Sequence, residues 1–328
     1  MSATTGPQLG VTLYSFNNDY YQYTYSFEDC MKQAGAISPG QGVEIVGPMF
    51  IREFPDVSAE FVARFRRAVD TYGLKPMAYG AYADYQRFTG RLATKQELSA
   101  YYGAQFRAAH QMGFPVVRVQ PAAPVFDDLL PLAEKLGLVM GIEVHAPTDI
   151  AHGPGLALVE RVEQINSPHL GLVPDFGIFA QRCAPVYRRR FLELGVKSET
   201  MDLVEELWAE GIDIQGIQRE VRKHDTSDMA LLAALESCVY FGHSDPKAWQ
   251  GLVHRIVHIH GKFFHIDENG DEPAVRYAEM LTVLRNGNYS GSMVSEYEGH
   301  HWAHTEDAFT QIKRHQALVQ RLWDSPRG

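Results

Sequence analysis

The chain has 328 residues, 45% of them hydrophobic and 21% charged, which excludes a disordered chain, a collagen-like repeat or a coiled coil. A formal net charge of −10 sets the surface against phosphate backbones, so no nucleic-acid partner is expected. Three widely spaced cysteines, Cys30, Cys183 and Cys238, with no CxxC, argue against a disulfide scaffold or zinc knuckle and point to a reducing, cytoplasmic setting.

The N-terminal run MSATTGPQLGVTLYSF has no basic or apolar targeting region, and no apolar run reaches the ~18 residues of a membrane span, so no membrane association is expected. Eight short β-rich runs follow in chain order: Leu9–Ser15, Gly42–Gly47, Leu74–Tyr79, Val116–Gln120, Leu138–Val144, Leu170–Pro174, Arg255–His260 and Ser292–Ser295. Between them lie stretches with helical spacing, among them Ala59–Tyr72, Gln96–Met112 and Asp127–Leu136. Gly73, Gly113 and Gly137 stand where such helices end, the position at which glycine takes the left-handed conformation. The rhythm predicts an α/β protein, a single (β/α)8 TIM barrel over residues 1–328, with a doubly wound sheet as the alternative. The sixth and seventh runs are separated by a long helical insertion at about 180–250, with helices expected at Ser198–Ala209 and Asp228–Cys238. An insertion of this size on a barrel acts as a lid or an interface element.

Barrel enzymes place their chemistry at the carboxyl ends of the strands. Here the late strands end in polar residues: Glu143 and His145 in LVMGIEVHAP, Asp175 in LGLVPD, His258, His260 and Lys262 in RIVHIHGK, and Glu296 and Glu298 in GSMVSEYEG. Carboxylates at the ends of apolar strands are costly unless paired or metal-bound. Three carboxylates and one imidazole from four successive strands suit a divalent metal, and Glu143, Asp175, His260 and Glu296 are the expected ligands. His258 in place of His260 and Glu298 in place of Glu296 remain alternatives. Mn²⁺ is the expected ion, and Mg²⁺, Co²⁺ or Zn²⁺ would find the same ligands. Lys262 would offset the excess negative charge and act in catalysis or contact the substrate. His145 lies two residues beyond Glu143, on the same strand face and one layer nearer the substrate, where a general base belongs. Glu44, in GVEIVG, is expected either to hold the substrate or to brace the barrel floor. Tyr14, Glu298 and His258 are further candidate substrate contacts.

The loop after the first strand is rich in aromatics (Tyr14, Phe16, Tyr20, Tyr21, Tyr23, Tyr25, Phe27), and Phe50, Tyr79, Tyr82, Tyr85 and Trp302 follow other strands. Such rings stack on sugars or aryl groups, or pack ordinarily. His300 and His301 could line the pocket or lie on the surface. No GxGxxG, Walker loop, GxSxG or HExxH is present, and a phosphate-cradling glycine motif near strands seven and eight is lacking.

Through GVEIVG, GIEVHAP, LVPDFG, VHIHGK and SEYEG the chain resembles the xylose-isomerase-like barrel superfamily, the sugar phosphate isomerase/epimerases, over most of its length. The resemblance implies that Glu143, Asp175, His260 and Glu296 bind a divalent metal. Two positions depart from the family pattern: Lys262 is followed by Phe263 rather than Asp, and Ile178 stands where a His often follows the sixth-strand Asp. Within the superfamily, the E-x-H on strand five, the aromatic front loops, the insertion and SEYEGHHW resemble the large (alpha) subunit of bacterial C-glycoside deglycosidases. That resemblance implies a carbon–carbon lyase acting on a 3-oxo-C-glucoside, with His145 taking the C2 proton, and a hetero-oligomer with a small beta subunit. A ketose epimerase or sugar isomerase, and an inosose-type dehydratase, would use the same metal site. In the epimerase case Glu143 and Glu296 would handle the proton on opposite faces. An apurinic endonuclease is opposed by the acidic charge, and a non-catalytic sugar-binding barrel by the intact ligand set.

Overall fold

The computed structural model describes residues 6–37, 40–120 and 126–325. Residues 1–5, which carry part of the N-terminal targeting reading, lie outside the described residues. Eight strands, β1 (Gln8–Thr12), β2 (Gly42–Val46), β3 (Lys75–Ala81), β4 (Val116–Val119), β5 (Val139–Val144), β6 (Leu170–Pro174), β7 (His258–Phe263) and β8 (Ser292–Tyr297), pair in the order β6-β5-β4-β3-β2-β1-β8-β7. Every pairing is parallel. Two isolated parallel bridges, Leu172 to Ile256 and Asp175 to His260, join β6 to β7 and bring the sheet round to a barrel.

The helices between strands form for local reasons. Ala59–Tyr72 starts at Ser58, whose side chain accepts from the Phe61 N–H, and ends at Gly73 with φ 65°. Lys95–Met112 begins with a reciprocal Thr94–Glu97 capping box. Both turn apolar faces to the sheet. Phe65 is fully buried, its ring 5.1 Å from Phe114, and burial of such a side chain contributes about 1.5–3 kcal/mol. Cys30, Cys183 and Cys238 are buried free thiols. Among the described residues no helix is long and apolar enough to cross a membrane.

Some boundaries differ from those expected. Leu13–Phe16 is a 3-10 turn rather than the end of β1, and it carries Tyr14 over the barrel mouth. β7 begins at His258, not Arg255, because Pro246–Arg255 forms 3-10 turns and the Ile256 N–H closes on the Val253 carbonyl. Arg255 turns outward to Glu163, at 2.6 Å. His260 is therefore in mid-strand and Lys262 near the strand's end. Between β6 and β7 lie the helices Pro185–Glu193, Ser198–Ala209, Ile214–Val221 and Asp228–Tyr240.

After β8 the chain turns sharply into Gly299–His301. A Cβ on Gly299 would lie 1.9 Å from the Phe264 carbonyl oxygen and 2.5 Å from the Tyr297 ring. The carbonyl belongs to the backbone and cannot yield as a flexible side chain does. Gly299→Ala is expected to cost about 1–3 kcal/mol by overpacking, read as a lowered denaturation midpoint.

Candidate active site

The site is built in layers. At the bottom Glu44, on β2, has no exposed surface and takes one carboxylate oxygen to two imidazoles, His258 Nε2 at 2.9 Å and His260 Nε2 at 3.0 Å. A carboxylate only accepts, so both Nε2 atoms carry the hydrogen. Thr12 donates to the other oxygen at 3.3 Å. Burial alone would raise the Glu44 carboxyl, but His260 and the imidazole N–H donors outweigh it and hold it far below the usual range. His258 Nδ1 meets Ser292 Oγ at 2.6 Å, and burial lowers its proton affinity. Neither Glu44 nor His258 lines the cavity. Of the two roles expected for Glu44, the structure gives it the brace. His258, a candidate substrate contact, is likewise placed below the site, because the inward positions of β7 stack as layers.

With Nε2–H committed to Glu44, the neutral form of His260 presents the Nδ1 lone pair upward. That atom lies 2.8 Å from Glu143 Oε1 and 3.4 Å from Glu296 Oε2. A lone pair facing two carboxylates demands a proton or a cation between them. Burial opposes charge on His260, yet Glu44, Glu296 and Glu143 together hold its proton affinity well above the ordinary value. Glu143, Asp175 and His260 each offer a ligand atom within 4.8 Å of the others. Asp175 Oδ2 and Glu296 Oε2 are buried with the Lys262 ammonium as the near cation, at 2.8 and 3.8 Å, and the buried His260 Nδ1 faces carboxylates rather than a donor. Such a donor set fits a divalent cation. Glu44, His258 and His260 also cluster closely, but there the two N–H donors already satisfy the carboxylate.

Lys262, almost wholly buried, is the hub of the upper layer. Its ammonium donates to His145 Nε2 at 2.8 Å and pairs with Asp175 at 2.8 Å, Glu298 at 3.2 Å and Glu296 at 3.8 Å. Burial opposes its charge, but Asp175, Glu298 and Glu296 keep its pKa well above the ordinary lysine value. His145 donates from Nδ1 to its neighbour's carbonyl, Ala146 O at 2.8 Å, leaving Nε2 as the basic nitrogen. Its side chain is 31% exposed while that of Asp175 is 1% exposed, so His145 is the more open of the two.

Above these residues opens a cavity of about 400 Å³, lined by Tyr14, Asn17, Tyr82, Gln120, Glu143, His145, Tyr240, Lys262, Glu296 and Glu298 among others. Its size is that of small-molecule sites. Thus Tyr14 and Glu298 reach the cavity, while Asp175 and His260 lie just beneath its surface.

Two residues escaped the sequence reading. Arg118, on β4, is fully buried, 3.3 Å from Glu143 and 3.1 Å from the Tyr82 hydroxyl. Gly80 stands opposite it, where a Cβ would come within 2.8 Å of the guanidinium. An arginine inside VVRVQ is as costly as a strand-end carboxylate, and that same signal, applied to β4, would have found it. Tyr240 comes from the end of Asp228–Tyr240, so the insertion supplies a wall of the cavity. Across the site, among the described residues, Glu44, Glu143, Asp175, Glu296 and Glu298 face Arg118 and Lys262 as permanent cations.

A nearly closed parallel barrel with its polar groups gathered over the carboxyl ends of its strands is the arrangement of a TIM-barrel enzyme. No family model matches the chain. By fold it is similar to a sugar phosphate isomerase/epimerase from Parabacteroides distasonis, with a TM-score of 0.53 over 99% of this chain and 98% of that one at 12% identity. It is 40% identical to the 3'-dehydrocarminate deglycosidase alpha subunit of a Microbacterium species, over 98% of this chain and 97% of the relative. It is 35% identical to a C-glycoside deglycosidase alpha subunit of Arthrobacter globiformis, over 98% and 92%. The chain belongs to the C-glycoside deglycosidase alpha-subunit family, a family of enzymes.

Glu44→Ala leaves two buried imidazoles without their acceptor. It is expected to destabilise the protein by on the order of 3–5 kcal/mol, measured by denaturant unfolding.

Proposed function

We propose that the chain is the alpha subunit of a divalent-metal-dependent lyase that cleaves the carbon–carbon glycosidic bond of 3-oxo-C-glucosides. The observation that carries this reading is His145, which lines the cavity beside the Glu143–Asp175–His260 cluster with Nε2 as its unprotonated nitrogen, held by the Lys262 ammonium. The family relatives supply the bond class, and the 3'-dehydro sugar in the name of one of them supplies the ketone. A ketone at C3 acidifies the C2 hydrogen, which is the chemistry a lone imidazole base serves.

Glu143, Asp175, His260 and Glu296 would hold the ion, with Mn²⁺ suited to three hard oxygens and one nitrogen. When bound, it supplies Lewis-acid polarisation of the ketone. His145 Nε2 takes the C2 proton, its ring oriented by the Ala146 carbonyl. Lys262 keeps positive charge beside the developing enolate oxygen. Glu298 and Tyr14 meet sugar hydroxyls, and Tyr82 and Tyr240 border the aglycone. Glu44 and His258 act from below by fixing His260. A small beta subunit is the proposed partner, in keeping with the alpha-subunit relatives. The buried free thiols support a cytoplasmic setting.

Mn²⁺ at about 100 times its Kd is expected to stabilise the protein by ~2.7 kcal/mol, seen as a raised Tm that EDTA reverses and that Glu143→Ala abolishes. With the partner subunit and Mn²⁺, the wild type is expected to release free aglycone from a flavonoid 3-oxo-C-glucoside. His145→Ala is expected to lower kcat by about 10²–10⁴-fold. Ketose turnover without aglycone release would instead favour an epimerase or isomerase, and loss of water from an inosose a dehydratase.

A further inference from the structure

Expelling an aryl group through carbon requires an acid, since the electron pair of the broken bond must end in a new C–H bond. The polar groups lining the cavity narrow the choice. His145 is the base. The three N–H bonds of Lys262 are taken up by His145, Asp175 and Glu298. Glu143 and Glu296 belong to the proposed ligand set. The Tyr82 hydroxyl accepts from Arg118, beside Glu143.

Tyr14 differs from these. It stands on the rigid 3-10 turn that caps β1 and lines the cavity wall. Its hydroxyl lies 3.3 Å from His301 Nε2. The same nitrogen is 3.5 Å from the Tyr240 hydroxyl, whose ring centroid lies 5.2 Å from that of His301. The Tyr14 ring packs edge-on against His300 at 5.4 Å. His301 itself is absent from the cavity lining and is partly exposed to solvent. Three elements distant in sequence, the turn after β1, the turn after β8 and the last helix of the insertion, thus converge on one imidazole nitrogen behind a phenol that faces the cavity.

We propose that Tyr14 is the acid that protonates the departing aryl carbon, and that His301, held by Tyr240, returns a proton to it from solvent. This rests on the deglycosidase reading above. His145 removes the C2 proton, and the C2–H electron pair becomes the C1–C2 double bond. The C1–aryl bond breaks, and its pair takes the Tyr14 proton at the aryl carbon. The tyrosinate oxygen then takes the proton of His301 Nε2–H, while the other ring nitrogen of His301 takes one from water and His145 releases its own. Atoms and electrons balance, and the products are the unsaturated keto sugar and the free aglycone. Burial and Glu298 push the Tyr14 phenol up, so its proton is in place in the resting enzyme. Burial and Lys262 lower His301 to about 4, leaving it neutral and able to relay.

The test uses the chain with its partner subunit and two 3-oxo-glucosides, a flavonoid C-glucoside and the O-glucoside of 4-nitrophenol. The nitrophenol leaves as a stable anion and needs no acid. Tyr14→Phe is expected to lower kcat on the C-glucoside by about 10²–10⁴-fold, far more than it lowers nitrophenol release, while any change in KM from the lost sugar contact is shared by both substrates. His301→Gln should lower the same kcat selectively, with partial rescue by added imidazole. Equal losses on both substrates, or full activity of Tyr14→Phe on the C-glucoside, overturn the assignment of Tyr14. A loss shared by both substrates in His301→Gln overturns the relay. A wild type that releases neither aglycone removes the deglycosidase reading itself, and this inference with it.

Discussion

The grip of one Glu44 oxygen on two imidazole N–H groups is the constraint on which the site depends. It is buried at the barrel floor, far from any molecule the enzyme meets. It nevertheless decides which nitrogen of His260 is free, and hence that a lone pair points up among carboxylates. Reversing that tautomer would place an N–H against the ligand position and a lone pair against Glu44. Everything above the floor follows from this choice: the close approach of Glu143 and Glu296, and the need for positive charge that Arg118 and Lys262 meet only in part.

Lys262 organises the second layer much as Glu44 organises the first. A lysine ammonium has three donors and here has three near acceptors, so it is pinned rather than mobile. It separates Asp175 from Glu298 and holds His145 by its reactive nitrogen. The lone pair of His145 Nε2 is therefore occupied by an ammonium hydrogen.

Much of this was legible in the chain, and the reason is energetic. A carboxylate or imidazole that ends an apolar strand must be compensated, so Glu143, Asp175, His260 and Glu296 stood out, and strand periodicity put His145 above Glu143. Glu44 stayed ambiguous because spacing says which face a residue takes but not which layer of the barrel it occupies. The start of β7 was misjudged because an Arg255 whose head pairs with Glu163 at the surface looks, in one dimension, like the edge of a strand. Tyr240 and its meeting with Tyr14 and His301 had no local signature. It arises only when the insertion folds back over the mouth.

The hoop of strands is laced by ladders between all the other neighbouring pairs, but between β6 and β7, among the described residues, just the bridges Leu172–Ile256 and Asp175–His260 cross. One of those two stitches joins residues whose side chains also meet in the proposed ligand cluster, and the chain's longest excursion leaves and returns at the same gap. The barrel thus has a clasp, and the clasp sits at the reacting end. Whatever draws Asp175 and His260 together also tightens the hoop, and whatever springs the hoop at this gap pulls those two residues apart.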